Sequence, residues 1–497
     1  MQDFFLPPLC RKNARQKAAR LRKTENKKLE KSVEKFLMEA MENKKALVIG
    51  GGISGLCAAT RLRRAGFSVV ILERKNRVGG VIDTFESDGF KAESGSNTVM
   101  IHSQKTLDFL REEGISESVK EANPTAKKRY FVRRGKPRAV PTGPLSLLFT
   151  RLFTFAGKIR LLCEPFVKKF PADAEPSVAE FTTARLGRDV LDYAINPFMA
   201  GVYGGDPSRL SIRHAFAPFW NLEQKYGSII RGAIKSIKGK KAAGNFFKPV
   251  LVSFEGGMKT LVEKLAKNSE GSLETNAKVI SIDLTGNSWQ ICWATDSDER
   301  CEDFDALVLA VPAPEIKNLP LPGTLAAELQ ALDEITYAPM ITYTMGFGKK
   351  QLRRKPDGFG VLVPQRENLS ILGSLYVSSL FDDRAPEGCA TLTNYVGGMR
   401  HPEYTVLPQD EVREKILADL QKLLGVRGDP VFEKMYKWEH AIPQYNVGYE
   451  RFLETIDAAE EKFPNLAIIG SFRGGVGVSN CMENALAAAE KLERKIQ

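Results

Sequence analysis

Gly50, Gly52 and Gly55 stand at GxGxxG spacing directly after the apolar run KALVIG (45–50), and an acidic residue, Glu73, lies 23 positions beyond Gly50. Between a strand and a helix, this set holds a dinucleotide. The first glycine permits a tight turn, the second lets pyrophosphate approach the backbone, and the third lets helix meet strand. Gly51, Ile53 and Ser54 fill out the loop, and the helix that follows offers N–H groups and positive potential to the phosphates. Glu73 would accept hydrogen bonds from ribose hydroxyls. Elsewhere AGVYGGDP (200–207) carries three glycines in eight positions. It reads as a loop whose bare backbone a flat ligand could approach closely.

The elements that must position these residues are legible. KALVIG and SVVILE (68–73) are short apolar runs suited to a buried parallel sheet, and Ser54–Gly66 between them has helical periodicity. NLAIIGSFRGGVGVSNCMENALAAAEKL (465–492) repeats the order strand, glycine turn, helix. The chain has 497 residues, enough for two or three domains, and its 43% hydrophobic content is ordinary for a soluble protein. It holds no apolar run of about eighteen residues, so no transmembrane helix is expected. The seven cysteines form no CxxC pair and there are four histidines, which argues against a disulfide framework, structural zinc or another metal site. That cysteine usage suggests a reducing compartment. The net charge is +12, and Met1–Lys45 holds 13 Lys/Arg against 6 Asp/Glu. That composition predicts a disordered or loosely helical basic tail over 1–43. Its glutamates fit an organelle transit peptide poorly, and with no base-reading module elsewhere no nucleic-acid partner is expected. No GxSxG, HExxH, paired-carboxylate or cysteine motif is present, so the chemistry falls to a cofactor.

Arg77-Val78-Gly79-Gly80 directly after Glu73, together with the C-terminal glycine turn, resembles the FAD-binding halves of the flavin amine oxidase and protoporphyrinogen oxidase superfamily. ESGSNTVM (93–100), KKRYFVRRGKP (127–137), INPFMAGVYGGDPSRLS (195–211), NLEQKYGS (221–228), GFGVLVP (358–364), SSLFDDRAP (378–386) and WEHAIPQYNVGY (438–449) resemble the protoporphyrinogen oxidases in particular. The resemblance runs over roughly residues 44–492. It implies FAD, bound by Gly50–Gly55, Glu73, Arg74, Gly79, Gly80, the Gly95-Ser96-Asn97-Thr98 turn, Val279, Trp438, Ser471 and Val476-Gly477-Val478. It also implies a tetrapyrrole substrate: Arg129 would pair with a propionate, the Gly201 carbonyl would accept from pyrrole N–H groups, and Leu362 and Phe381 would sandwich the ring. Asn97 is the residue the resemblance places nearest the reaction. The implied chemistry is hydride removal from a methylene bridge to flavin N5, with loss of a pyrrole proton and reoxidation by molecular oxygen to hydrogen peroxide. Coproporphyrinogen III oxidation, amine oxidation and a non-catalytic flavoprotein are the alternatives.

The fold expected is α/β: a discontinuous Rossmann-like FAD domain (44–120, 251–312 and 436–497), a mixed-sheet substrate domain (121–135 and 313–435) and a mainly helical insertion (136–250). KKRYFVRRGKP reads as a hairpin with GKP at its turn. Within 141–170, Leu145, Leu148, Leu152 and Phe155 lie near helical spacing, Phe149 and Phe153 broaden the stripe, and five lysines and arginines accompany it. Such a helix can lie in a membrane interface, and the resemblance implies peripheral membrane association through this region. A bacterial protein at the cytoplasmic membrane face is the setting preferred, with the mitochondrial inner membrane as the alternative. A homodimer is compatible with the resemblance.

Overall fold

The computed structural model describes residues 44–242 and 247–496; the basic tail expected over 1–43 lies outside the described residues. The two apolar runs form adjacent parallel strands, Lys45–Ile49 and Ser68–Leu72. Their sheet has five strands in the order Leu273–Glu274, Ser68–Leu72, Lys45–Ile49, Ala306–Leu309, Leu466–Ile468, with every pairing parallel. Ala46 and Val48 are buried against helices on one face and Leu47 and Ile49 against Ile282, Trp289, Ile291 and Phe304 of a three-stranded sheet on the other, which is why these strands read as unbroken apolar runs. The Ile53–Arg64 helix packs against the C-terminal Val478–Ile496 helix, and Arg61 reaches Glu493 across that seam. Remote parts of the chain therefore build one sheet.

The second sheet is mixed. Its seven strands run Phe432–Pro443, Tyr337–Gly348, Cys389–Gly397, Ile371–Leu375, Gly360–Leu362, Arg129–Arg133, Lys136–Ala139. All pairs are antiparallel except Gly360–Leu362 with Arg129–Arg133. Helix Gln409–Leu424 covers one face with Val412, Ile416, Leu420 and Leu423. Several expected boundaries fall inside strands. Position 436 cuts the Phe432–Pro443 strand, which pairs with Tyr337–Gly348, so Trp438 belongs to this sheet. The hairpin continues past 135, and its turn is Arg134-Gly135, both at positive φ, with Lys136 and Pro137 already in the second strand. Strand Val250–Phe254 straddles the boundary at 250 because it pairs with Val99–Ile101 and Val119–Glu121.

Two further expectations are corrected. Residues 141–170 form two short helices, Pro144–Phe149 and Phe155–Leu162, and Leu152 and Phe153 between them are buried. The apolar stripe is thus split between core and surface. Cys292 and Cys301 form a disulfide. They face one another across adjacent antiparallel strands, with Cα atoms 4.1 Å apart, a proximity set by register that no CxxC search could detect. No helix among the described residues is long and apolar enough to cross a membrane, and no acid, histidine and cysteine cluster there could hold a metal.

Candidate active site

The glycine loop is built by close backbone approach. A Cβ on Gly50, whose φ is +112°, would stand 2.6 Å from the Ala310 carbonyl oxygen, and one on Gly55 would stand 1.9 Å from the Gly50 oxygen. Gly52 has open space around it and caps the Ile53–Arg64 helix with no side-chain acceptor and no acid in the first turn. The first-turn amides, including that of buried Ser54, are therefore left to an anionic ligand. The Glu73 carboxylate accepts from the Gly51 and Lys75 amides, each at 2.9 Å. The Gly79 amide donates to Gly51 O at 2.8 Å, which folds the Val78–Gly80 turn onto the loop. Arg77, the first residue of the Arg77-Val78-Gly79-Gly80 motif, secures the turn by donating to the Val78 and Gly80 carbonyls. Arg74 does not join them: its side chain is 63% exposed and pairs with Glu315 at 3.1 Å. Val279 is half-buried at a bulge in strand Lys278–Thr285, and the nearby Ala277 amide donates to Glu73 O.

The C-terminal half is braced by two tyrosines the sequence reading did not mark. Tyr445 donates to Ser471 O at 2.7 Å and accepts from the Gly475 amide at 2.9 Å, and Tyr449 donates to Phe472 O at 2.7 Å. Both lie in the QYNVGY stretch, but only tertiary structure brings them to the loop. Val476 and Gly477 lead into the Val478–Ile496 helix, whose first turn again lacks an acid. Two helix N-termini, free loop amides and a ribose-ready carboxylate fit a dinucleotide such as FAD.

The mixed sheet puts two of the expected substrate residues, Arg129 and Leu362, on one face. Phe131, Leu362, Gly373, Tyr395, Thr342 and Tyr436 lie directly opposite one another across six strands. Arg129, Gly360, Leu375, Thr393 and Thr344 form the next row, two residues along and so on the same face. Arg129 stacks its guanidinium 5.0 Å from the Phe359 ring centre and has no carboxylate partner among the described residues. Helix Asn196–Tyr203 lies over this face, so Gly201 is in a helix and only Gly204 and Gly205 form the turn. A Cβ on Gly201 would stand 2.6 Å from Leu362 Cδ2, and one on Gly373 would stand 2.7 Å from the same methyl. The bare backbone at 201 thus first serves the Leu362 side chain. The chain turns at Gly204 (φ +57°), whose amide bonds to Ala200 O while that of Gly205 bonds to Met199 O. The Gly201 carbonyl receives neither amide.

Asn97 is buried and held on both sides. Its Nδ2 donates to Tyr395 Oη at 2.8 Å, and its Oδ1 accepts from Thr393 at 3.3 Å. Gly95 keeps the approach tight, since a Cβ would stand 2.8 Å from Val81 O, and Ser96 donates to Thr98 O. Trp438 donates its indole N–H to Ser94 O at 2.7 Å, which places it beside the same segment. Phe381 is 2% exposed and packs with Leu375, Val377 and Leu380 under the Arg384 guanidinium, 5.3 Å from its ring.

Burial pushes the Glu93 carboxyl up to about 7, against hydrogen bonds from Thr84 and the Met258 amide and the charge of Arg384. A carboxyl raised on folding adds stability that is full below its unfolded value of 4.5 and is lost as pH rises to about 7. Glu93→Gln is therefore expected to flatten the fall in thermal stability between those pH values, an effect on the order of 3 kcal/mol. Melting curves across that range check it.

Residues 53–492 match the family model described as flavin containing amine oxidoreductase, and the chain belongs to that family. It is an FAD-dependent oxidoreductase. Within the family, the chain is 33% identical to protoporphyrinogen oxidase 2, chloroplastic/mitochondrial, of Arabidopsis thaliana, over 91% of this chain and 94% of that one. Coproporphyrinogen III oxidase of Bacillus subtilis is 25% identical over 90% and 97%. The fold is shared with an Exiguobacterium sp. 255-15 structure named "Putative protoporphyrinogen oxidase", at a TM-score of 0.75 and 23% identity over 91% and 99% of the chains.

Proposed function

We propose that the protein oxidises protoporphyrinogen IX to protoporphyrin IX in three two-electron rounds, with molecular oxygen as final acceptor and hydrogen peroxide as co-product. The observation that carries this reading is the full-length likeness to plant protoporphyrinogen oxidases, combined with one sheet face that holds Arg129, Leu362 and the Asn97 partner Tyr395 beneath the Gly201 helix. Bound FAD supplies a two-electron acceptor for hydride from a methylene bridge. The chain's own part is to orient. Arg129 takes a propionate through a charged, bidentate fork. Leu362 meets the apolar ring, the Gly201 carbonyl accepts a pyrrole N–H, and Asn97 is fixed beside the reacting edge. The exposed side chains Leu145, Phe149, Phe155 and Phe166, near Lys158, Lys168 and Arg231, support docking on an anionic membrane surface from which an apolar substrate is drawn.

Aerobic turnover on protoporphyrinogen IX and coproporphyrinogen III in parallel, read by porphyrin fluorescence against autoxidation, tests the reading. Preference for the first is expected, and preference for the second moves the assignment to coproporphyrin formation. Arg129→Ala is expected to raise KM about tenfold or more with a smaller change in kcat, because a charged hydrogen bond contributes roughly 1.5–3 kcal/mol. In Gly201→Ala the new Cβ meets only the far end of Leu362, and helix propensity favours alanine by about 1 kcal/mol. The melting temperature is expected to hold while KM rises several-fold, because Leu362 is driven into the slot. Steady-state kinetics and a melting curve separate the two effects.

A further inference from the structure

Thr344, Thr393, Asn97 and Tyr395 form a continuous hydrogen-bonded chain on the face that carries the site. Thr344 and Thr393 lie directly opposite one another with hydroxyls 3.1 Å apart, and Tyr395 follows Thr393 by two residues on the same strand. The polarity of the chain is fixed by its middle. Thr393 donates to Asn97 Oδ1, so it must accept from Thr344; Asn97 Nδ2 donates to Tyr395 Oη, so that oxygen is already an acceptor. Two protons are left to give, the second Nδ2–H of Asn97 and the Tyr395 hydroxyl, and that hydroxyl donates no hydrogen bond among the described residues. Tyr395 packs between the Phe381 cluster and the cluster of Ala200, Met340 and Leu372, and it is half-buried rather than sealed. A half-buried donor with no protein acceptor is open to a ligand atom, which would complete its hydrogen bonding.

We propose that Tyr395 is a flavin-contacting residue, its O–H donating to the electron-accepting edge of FAD and favouring reduction of the cofactor. A porphyrinogen presents N–H and C–H groups at its reacting core, and its acceptors are peripheral carboxylates. The flavin ring offers oxygen and nitrogen acceptors, and Asn97 lies in the segment that would pass it. A donor aimed at an acceptor that gains negative charge stabilises the reduced form. Burial pushes the Tyr395 phenol well above its ordinary value, so the group remains a donor at every working pH.

The test uses FAD-loaded wild type, Tyr395→Phe and Thr393→Val in anaerobic reductive titrations against a reference dye, with no porphyrinogen present. Failure of the substrate reading would therefore leave it intact. Tyr395→Phe is expected to retain flavin, shift its visible spectrum and disfavour reduction about tenfold, a potential lower by ~30 mV. Thr393→Val should shift the same way by less, and the double variant no further than Tyr395→Phe. An unchanged potential in Tyr395→Phe overturns the proposal, even if stability falls, because the chain would then be only a brace. If Tyr395→Phe yields no holoprotein, Thr393→Val decides: a lowered potential supports the proposal and an unchanged one overturns it.

Discussion

Gly55→Ala is expected to purify without flavin and to be destabilised on the order of 4 kcal/mol. The added Cβ would stand 1.9 Å from the Gly50 carbonyl oxygen, which belongs to the turn itself and cannot swing aside as a side chain can. Relief requires the helix to withdraw from the Lys45–Ile49 strand. That movement takes the first-turn amides away from the pyrophosphate and loosens the seam with the C-terminal helix. The ratio of flavin to protein absorbance and the denaturation midpoint report the two consequences. Gly52→Ala is the internal control: its Cβ meets nothing, so any flavin loss there reflects a clash with the ligand alone.

The second large effect is expected at Arg185, far from the chemistry. Arg185 and Glu164 are fully buried partners. Arg185 donates to the carbonyls of Val167, Lys168 and Gly227, and Glu164 accepts from Ser228 and the Ile229 and Ile230 amides. This cluster ties the segment bearing Phe155 and Phe166 to the body of the protein. Arg185→Met leaves an ionised carboxylate buried without its cation and is expected to cost about 3–5 kcal/mol at neutral pH. Burial works to raise the Glu164 carboxyl, but the hydrogen bonds from Ser228, the Ile229 amide and Arg185 outweigh it and hold it below 4.5. The stability it gives the native protein is thus present above that value and lost as pH falls through the lowered one. In the variant the carboxyl rises, so acid protonates it sooner and the deficit shrinks toward pH 4. Urea denaturation at neutral and acid pH checks the sign as well as the size.

How much of this was legible depends on whether a residue's role is local. The nucleotide loop is a local device: glycine spacing, a buried strand and a helix start are consecutive, so the strand–turn–helix–strand over 45–72 could be read from the chain alone. The discontinuous sheet was legible because both halves carry the same strand–turn–helix order. Arg129 and Leu362 came from family likeness, and the structure adds that adjacent strands put them on one face. Gly201 was read as loop because three glycines suggest one, yet NPFMAGVY forms a helix that closes at Gly204. Phe381, which the resemblance places against the ring, is buried in a cluster with Leu375, Val377 and Leu380, and Arg74 faces a surface acid. Tyr395 and Tyr445 escaped notice because their partners are set by strand register and loop closure, not by spacing. The Cys292–Cys301 bridge was missed for the same reason.

The most direct measurement is anaerobic mixing of FAD-loaded protein with protoporphyrinogen IX, following the oxidised flavin band. The account predicts rapid bleaching by a stoichiometric amount of substrate, matching growth of porphyrin fluorescence once oxygen is admitted, and slower bleaching in Arg129→Ala. Retention of the oxidised band with intact holoprotein would contradict it, because a flavin that porphyrinogen cannot reduce cannot be the oxidant.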